Sequence, residues 1–127
     1  IRILRYLHQK KMINHKQISS ERQLKAAIGK SKPEFKLLKI DFENFYFEEY
    51  GQTYEEYIDE NVQETPKLKN LEDALFFVLF QLKNGLTWDS LGVVFGMSGA
   101  TAYTNFNTFS KLLESTLEKK SNAQTSV

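Results

Sequence analysis

The segment from Leu71 to Asn84 most constrains the fold. Leu71, Ala74, Leu75, Phe77, Val78, Leu79, Phe80 and Leu82 make it apolar nearly all round. A helix of that kind is stable only when other elements surround it. Its ends are marked in the chain. The Asn70 side chain can accept from an unpaired backbone N–H at the start, and Gly85 can enter the left-handed conformation that stops a helix. The segment therefore predicts a buried central helix, which the rest of the chain has to wrap.

The wrapping also reads as helical. Ile3, Leu4 and Leu7, with Met12 later, suggest an opening amphipathic helix to about Lys11. Ser19 or Ser20 caps a helix through Ile28, with Gly29 as its stop. Ser31 caps the next, where Pro33 is tolerated in the first turn. Its apolar stripe is Phe35, Leu38, Phe42 and Phe45; the stripe stops at charged Glu49, and Gly51 closes the helix. Thr53 and Glu56 form a capping-box pattern that opens a short helix to about Val62. Glu64-Thr-Pro-Lys is a link, because the residue before proline avoids helix. From Lys119 the chain is polar and is expected to fray. No internal repeat and no strand-length alternation stands out. The expected fold is all-α: one compact multi-helix domain over 1–118, followed by a polar tail at 119–127. Within that domain lie basic amino-terminal helices (1–40), an acidic aromatic segment (41–66) and a core at 70–118.

The core holds the most specific pattern, Thr87-Trp-Asp-Ser-Leu-Gly-Val-Val-Phe-Gly-Met-Ser-Gly-Ala-Thr-Ala-Tyr-Thr-Asn-Phe-Asn-Thr-Phe. It reads as two helices joined by a tight turn at Gly96, the layout of a helix-turn-helix in which a first helix braces a second that enters the major groove. Thr87 can cap the first helix, and Leu91, Val94 and Phe95 face inward. Gly92, one turn before Gly96, lets the two backbones approach, and Met97 plugs the space between the helices. Ser98 caps the second helix, whose stripe is Ala102, Phe106, Phe109 and Leu113. The opposite face presents Gly99, Ala100, Tyr103, Thr104, Asn107, Thr108 and Lys111. An ordinary helical hairpin with a glycine stop is the competing reading.

Leu75-Phe-Phe-Val-Leu-Phe-Gln-Leu-Lys-Asn-Gly-Leu-Thr-Trp-Asp-Ser-Leu-Gly-Val-Val-Phe-Gly-Met-Ser, followed by Ala102 and the Asn105-Phe106 pair, resembles the amino-terminal region of DDE-type transposases of bacterial insertion sequences. The resemblance runs from about Leu71 to Leu113 and is weaker at Ser31-Lys-Pro-Glu-Phe-Lys-Leu-Leu. It implies a helix-turn-helix that precedes an RNase-H-like catalytic domain. The family often places Arg or Lys in the second helix, whereas Gly99 to Ser110 carries no charge here.

Charge is strongly segregated although the formal net charge is only +1. Residues 1–40 carry net +9, residues 41–66 carry net −9 with no Lys or Arg, and residues 67–127 carry +1. Two readings of the basic block stay open. Arg2, Arg5, Lys10, Lys11 and Lys16 form an arm against DNA phosphates, or the block is a solvated face that pairs with the acidic segment. The acidic segment is interleaved with Phe42, Phe45, Tyr46, Phe47, Tyr50, Tyr54 and Tyr57, a pattern read first as core packing, second as a partner surface and last as a base-stacking platform, which phosphate repulsion opposes.

Several functions are excluded or disfavoured. With no cysteine there is no disulfide framework and no thiolate site. His8 and His15 lie in a basic segment with no second ligand at metal spacing, so no metal is expected. No phosphate-binding glycine loop, no Ser/His/Asp set and no cofactor motif is recognisable. No apolar run of about 18 residues could span a membrane, and the start lacks a secretory core. The chain begins without Met, so residues upstream are expected to be missing or disordered. A DDE triad lies on a sheet-based fold and no sheet is read here, so the expectation is a fragment of a longer protein or the first product of an element whose enzyme is split over two frames.

The functional expectation is a sequence-specific DNA-binding domain of a transposase, not itself an enzyme, which recognises the terminal repeats of an insertion element in the cytoplasm or on the nucleoid. The expected contacts are Thr87, Trp88, Ser98, Gly99, Ala100, Tyr103, Thr104, Asn107 and Lys111, with Arg2, Arg5, Lys10 and Lys11 on phosphates. A catalytic domain in cis or trans and a homodimer are the expected partners. The alternatives are a protein-interaction or dimerisation module and a stand-alone helix-turn-helix transcriptional regulator.

Overall fold

The computed structural model describes residues 20–61 and 66–125. Six helices and no strand occur among them: α1 Glu21–Ile28, α2 Lys32–Tyr50, α3 Tyr54–Asn61, α4 Leu71–Asn84, α5 Trp88–Phe95 and α6 Gly99–Thr125. The expected opening helix and Arg2, Arg5, Lys10 and Lys11 lie outside the described residues.

Local capping explains where the helices start and stop. Ser20 Oγ accepts from the Gln23 N–H, and Gly29 ends α1 at φ 72°. Ser31 and Glu34 cap α2 reciprocally: Ser31 Oγ accepts from the Glu34 N–H at 3.3 Å, and the Glu34 carboxylate accepts from the Ser31 N–H at 2.9 Å. Those bonds hold the Glu34 carboxyl below its ordinary pKa. Asn70 Oδ1 accepts from the Asp73 N–H at 2.8 Å to open α4.

Helix α4 is the centre of the domain. Ala74, Leu75, Phe76, Phe77 and Val78 are almost completely buried, packed among α1, α2 and α6. Burying each large side chain contributes about 1.5–3 kcal/mol. The all-round apolar reading needs one correction, because Leu82 on the last turn is 62% exposed. The rest of the last turn stays in contact: Gln81 is buried and the Asn84 amide donates to the Ala27 carbonyl of α1 at 3.0 Å, while Leu82 lines an open groove between α2 and α6.

Two further expectations change. In α2 the buried seam is Phe35, Phe42 and Tyr46, with Leu38 and Phe45 half-buried, so it drifts onto Tyr46 instead of stopping at Phe45. The described part of the stretch after Lys119 is helical, α6 continuing to Thr125. There Lys119 pairs with Glu48, and Lys120 with Asp41 at 3.0 Å, so α2 supplies partners that the tail itself lacks.

Candidate nucleic-acid interface

The interface is built from α4 outward. Gln81 is a buried polar side chain in α4, and its amide clamps the connection to α5. Its Nε2 donates to the Leu86 carbonyl at 2.7 Å, and its Oε1 accepts from the Leu86 N–H at 3.1 Å. A polar group there would cost free energy if unpaired; paired twice, it fixes the loop that launches the motif. Sequence reasoning passed over Gln81, although an amide within the apolar run of a helix, four residues before a glycine stop, is a readable signal.

Thr87 Oγ1 accepts from the Ser90 N–H at 3.2 Å and so caps α5. Phe95 anchors the other end of α5, its ring edge-on to Phe77 at 4.9 Å and to Phe80 at 5.3 Å. Gly96 adopts φ 72°, and both its N–H and that of Met97 turn back onto the Gly92 carbonyl. The chain returns so tightly that a Cβ on Gly92 would overlap the Met97 carbonyl oxygen. Met97 is half-buried against the core, and the Asn105 amide lies 3.5 Å from its sulfur. Ser98 Oγ accepts from the Thr101 N–H at 3.1 Å and caps α6.

The sharp turn sets α6 across the domain with Ala102, Phe109, Leu112, Leu113 and Thr116 inward. Ala100, Tyr103, Thr104 and Lys111 are exposed on the outer side and Asn107 is half-exposed, one group at helical spacing. The Asn107 amide makes no hydrogen bond to another described residue, whereas the Thr104 hydroxyl donates to the Ala100 carbonyl at 3.1 Å. The acidic aromatic segment meets α6 at Asn105, Thr108, Phe109 and Leu112 beside the tyrosines and again at Lys119 and Lys120, and it leaves Ala100, Tyr103, Thr104 and Lys111 exposed.

Residues 66–119 match the family described as the helix-turn-helix of DDE superfamily endonuclease. No curated protein and no solved structure matches the chain. The match takes in α4, α5 and most of α6 and leaves α1–α3 outside. In such an endonuclease the helix-turn-helix is the DNA-binding part, not the catalytic one.

Three of the expected contact residues sit differently from the simple outward reading. Trp88 is half-buried, its ring against Tyr103 at 5.3 Å and Phe106 at 5.5 Å. It props the exposed Tyr103 from below. The Ser98 hydroxyl is occupied by its cap and by a bond to Thr101 Oγ1 at 2.9 Å. Gly99 faces the Asp89 side chain, which stands where a Cβ would be. A carboxylate at that helix N-terminus is electrostatically favourable.

The acidic aromatic segment divides. Phe42, Tyr46 and Tyr54 are buried, and the Tyr54 hydroxyl donates to the Leu68 carbonyl at 3.0 Å. Phe47, Tyr50 and Tyr57 are exposed. Among the described residues no three His, Cys, Asp or Glu side chains gather where they could hold a metal ion, and no helix is long and apolar enough to cross a membrane.

Proposed function

We propose that the chain binds duplex DNA with α6 in the major groove and reads the ends of a mobile element for a DDE catalytic domain carried in cis or in trans. The observation that carries this reading is the open outer face of α6, uncharged up to Lys111, within a segment matching a DDE endonuclease helix-turn-helix. Tyr103, Thr104 and Asn107 meet base edges, and an Asn amide suits the paired donor and acceptor of adenine. Ala100 allows close approach at the leading end, whereas the space beside Gly99 is filled by the Asp89 side chain. Thr87, Trp88 and Ser98 lie toward the phosphate backbone, and Lys111 neutralises a phosphate. Arg2, Arg5, Lys10 and Lys11 supply the further positive charge that α6 lacks between Gly99 and Ser110.

The test is selection from a pool of random duplexes, followed by affinity measurements on the enriched and a scrambled sequence. The expected result is one shared sequence bound preferentially. The double variant Thr104→Ala/Asn107→Ala should lose that preference, at about 1–3 kcal/mol for a good paired contact. No enrichment, or an unchanged preference in the variant, overturns sequence reading by this face.

A protein-interaction role is the second reading. Leu37, Leu82 and Leu117 stand exposed around an apolar groove between α2, α4 and α6. Weak, salt-insensitive DNA binding together with a stable dimer would favour it.

A further inference from the structure

Between α2, α3 and α6 lies a cavity of about 460 Å³, with Tyr46, Tyr50, Tyr54 and Tyr57 on one side and Asn105 and Thr108 on the other. We propose that this cavity binds an organic cation, an alkylammonium or guanidinium head. The aromatic walls stand at angles to one another. Tyr46 and Tyr54 are perpendicular with centroids 5.8 Å apart, and Tyr46 and Tyr50 are tilted with centroids 4.6 Å apart. Ring faces carry the negative part of the aromatic quadrupole, and several rings around one space form a cage for a cation. Tyr50 and Tyr57 are 57% and 40% exposed, so the cavity opens to solvent through two of its walls.

No acid among the described residues lines the cavity itself, but the segment that supplies its tyrosines is acidic. Residues 41–66 hold nine acids and no Lys or Arg, and α3 alone carries Glu55, Glu56, Asp59 and Glu60. Burial pushes the Tyr54 hydroxyl up to about 12, and the Glu55 carboxylate adds to that push. Burial penalises any charge, a cation included; it is the negative field of the α3 carboxylates, Glu55 among them, that attracts one. It also repels a nucleotide, whose base would fit the rings but whose phosphate would face the acids. The volume falls in the range of small-ligand sites and admits one side-chain-sized group. A free ammonium compound and a basic side chain of a polypeptide share this chemistry.

The test is calorimetric and NMR titration of the full chain with four probes. These are choline, N-acetylarginine amide, thymidine monophosphate, and the neutral alcohol in which a tert-butyl group replaces choline's trimethylammonium. At least one of the two cations should bind saturably, with shifts confined to the tyrosines, Asn105 and Thr108. If choline binds, its affinity should exceed that of its neutral isostere about 2- to 30-fold. Binding by choline alone identifies a free ammonium as the source, and binding by the arginine amide alone identifies a basic side chain. Tyr50→Leu and Tyr57→Leu alter exposed positions, so the fold, checked by circular dichroism, should hold while cation affinity falls about 2- to 10-fold. Equal binding of choline and its neutral isostere, preference for the nucleotide, no saturable cation binding, or affinity unchanged in both variants overturns the proposal.

Discussion

Gly92 packs against the backbone of Met97, five residues further along: a Cβ there would overlap the Met97 carbonyl oxygen and come within 3.0 Å of the Ser98 carbonyl carbon. The obstacle is backbone and cannot rotate away. Gly92→Ala should therefore separate α5 from the turn and destabilise the domain by about 1–3 kcal/mol. The same change would gain about 1 kcal/mol in an unobstructed helix, so the sign of the effect is the test. Urea unfolding of the variant measures it, and a stabilised variant would show the turn to be looser than this geometry.

Gly99 presents the opposite case, because its neighbour is mostly a movable side chain. The Asp89 carboxylate occupies the space of the missing Cβ, and the Asp89 Cα lies 3.2 Å from it. Gly99→Ala should displace the carboxylate and cost less than Gly92→Ala. In the Asp89→Ala background the cost of Gly99→Ala should shrink further. A double-mutant cycle read by thermal unfolding should give a coupling of about 0.5 kcal/mol or more, and strictly additive effects would contradict the contact.

What was legible in the sequence was mainly local. Ser31 with Glu34, Asn70 with Asp73, and Thr87 with Ser90 satisfy backbone groups within four residues, so their pattern is visible without a fold. The face holding Tyr103, Thr104, Asn107 and Lys111 follows from the same helical period as the buried stripe. Positions decided by distant elements were not legible. Leu82 has the same apolar character as Leu79, yet only the placement of neighbouring helices leaves it in solvent. The support of Trp88 under Tyr103, the place of Asp89 beside Gly99 and the tyrosine cavity all need the angle between helices, which no single segment carries.

The pairing of the terminal part of α6 with α2 predicts little stability. Lys120 Nζ lies 3.0 Å from Asp41 Oδ2, but both side chains remain substantially exposed. Such a pair loses side-chain entropy and is screened by salt. Lys120→Ala should change unfolding free energy by less than about 1 kcal/mol, and that difference should shrink as salt is raised. A larger, salt-independent loss would mean that the aliphatic stem of Lys120, at the edge of the leucine-lined groove, matters more than its charge.

Tyr54 predicts a loss of stability in alkali. Its hydroxyl is raised from 10.0 to about 12, chiefly by burial, so the folded state resists ionisation more than the unfolded chain does. The sign follows from linkage: the contribution is complete below pH 10 and is lost as pH rises from there through about 12. Tyr54→Phe should remove that part of the alkaline slope. At neutral pH it should cost about 1 kcal/mol, because the Leu68 carbonyl loses its donor. Denaturant unfolding across this pH window in both proteins provides the measurement, and an identical slope in the variant would assign the alkaline loss to another group.

Lys111 and Asn107 share the outer face of α6 but differ in what they can contribute to DNA binding. Lys111 carries the first charge after the uncharged run from Gly99 to Ser110, one turn beyond Asn107. A cation on a phosphate releases condensed counterions whatever the base sequence, whereas an amide at a base edge discriminates between sequences and releases none. Lys111→Ala should therefore weaken binding to preferred and scrambled duplexes alike and lower the slope of log affinity against log salt by ~0.9. Asn107→Ala should leave that slope intact and narrow the gap between the two duplexes. Titrations at several salt concentrations separate the roles. If Lys111→Ala narrowed the gap while Asn107→Ala changed the salt slope, α6 would have to sit in the groove with a different edge leading, and the base-reading assignment would move from Asn107 toward the far end of this face.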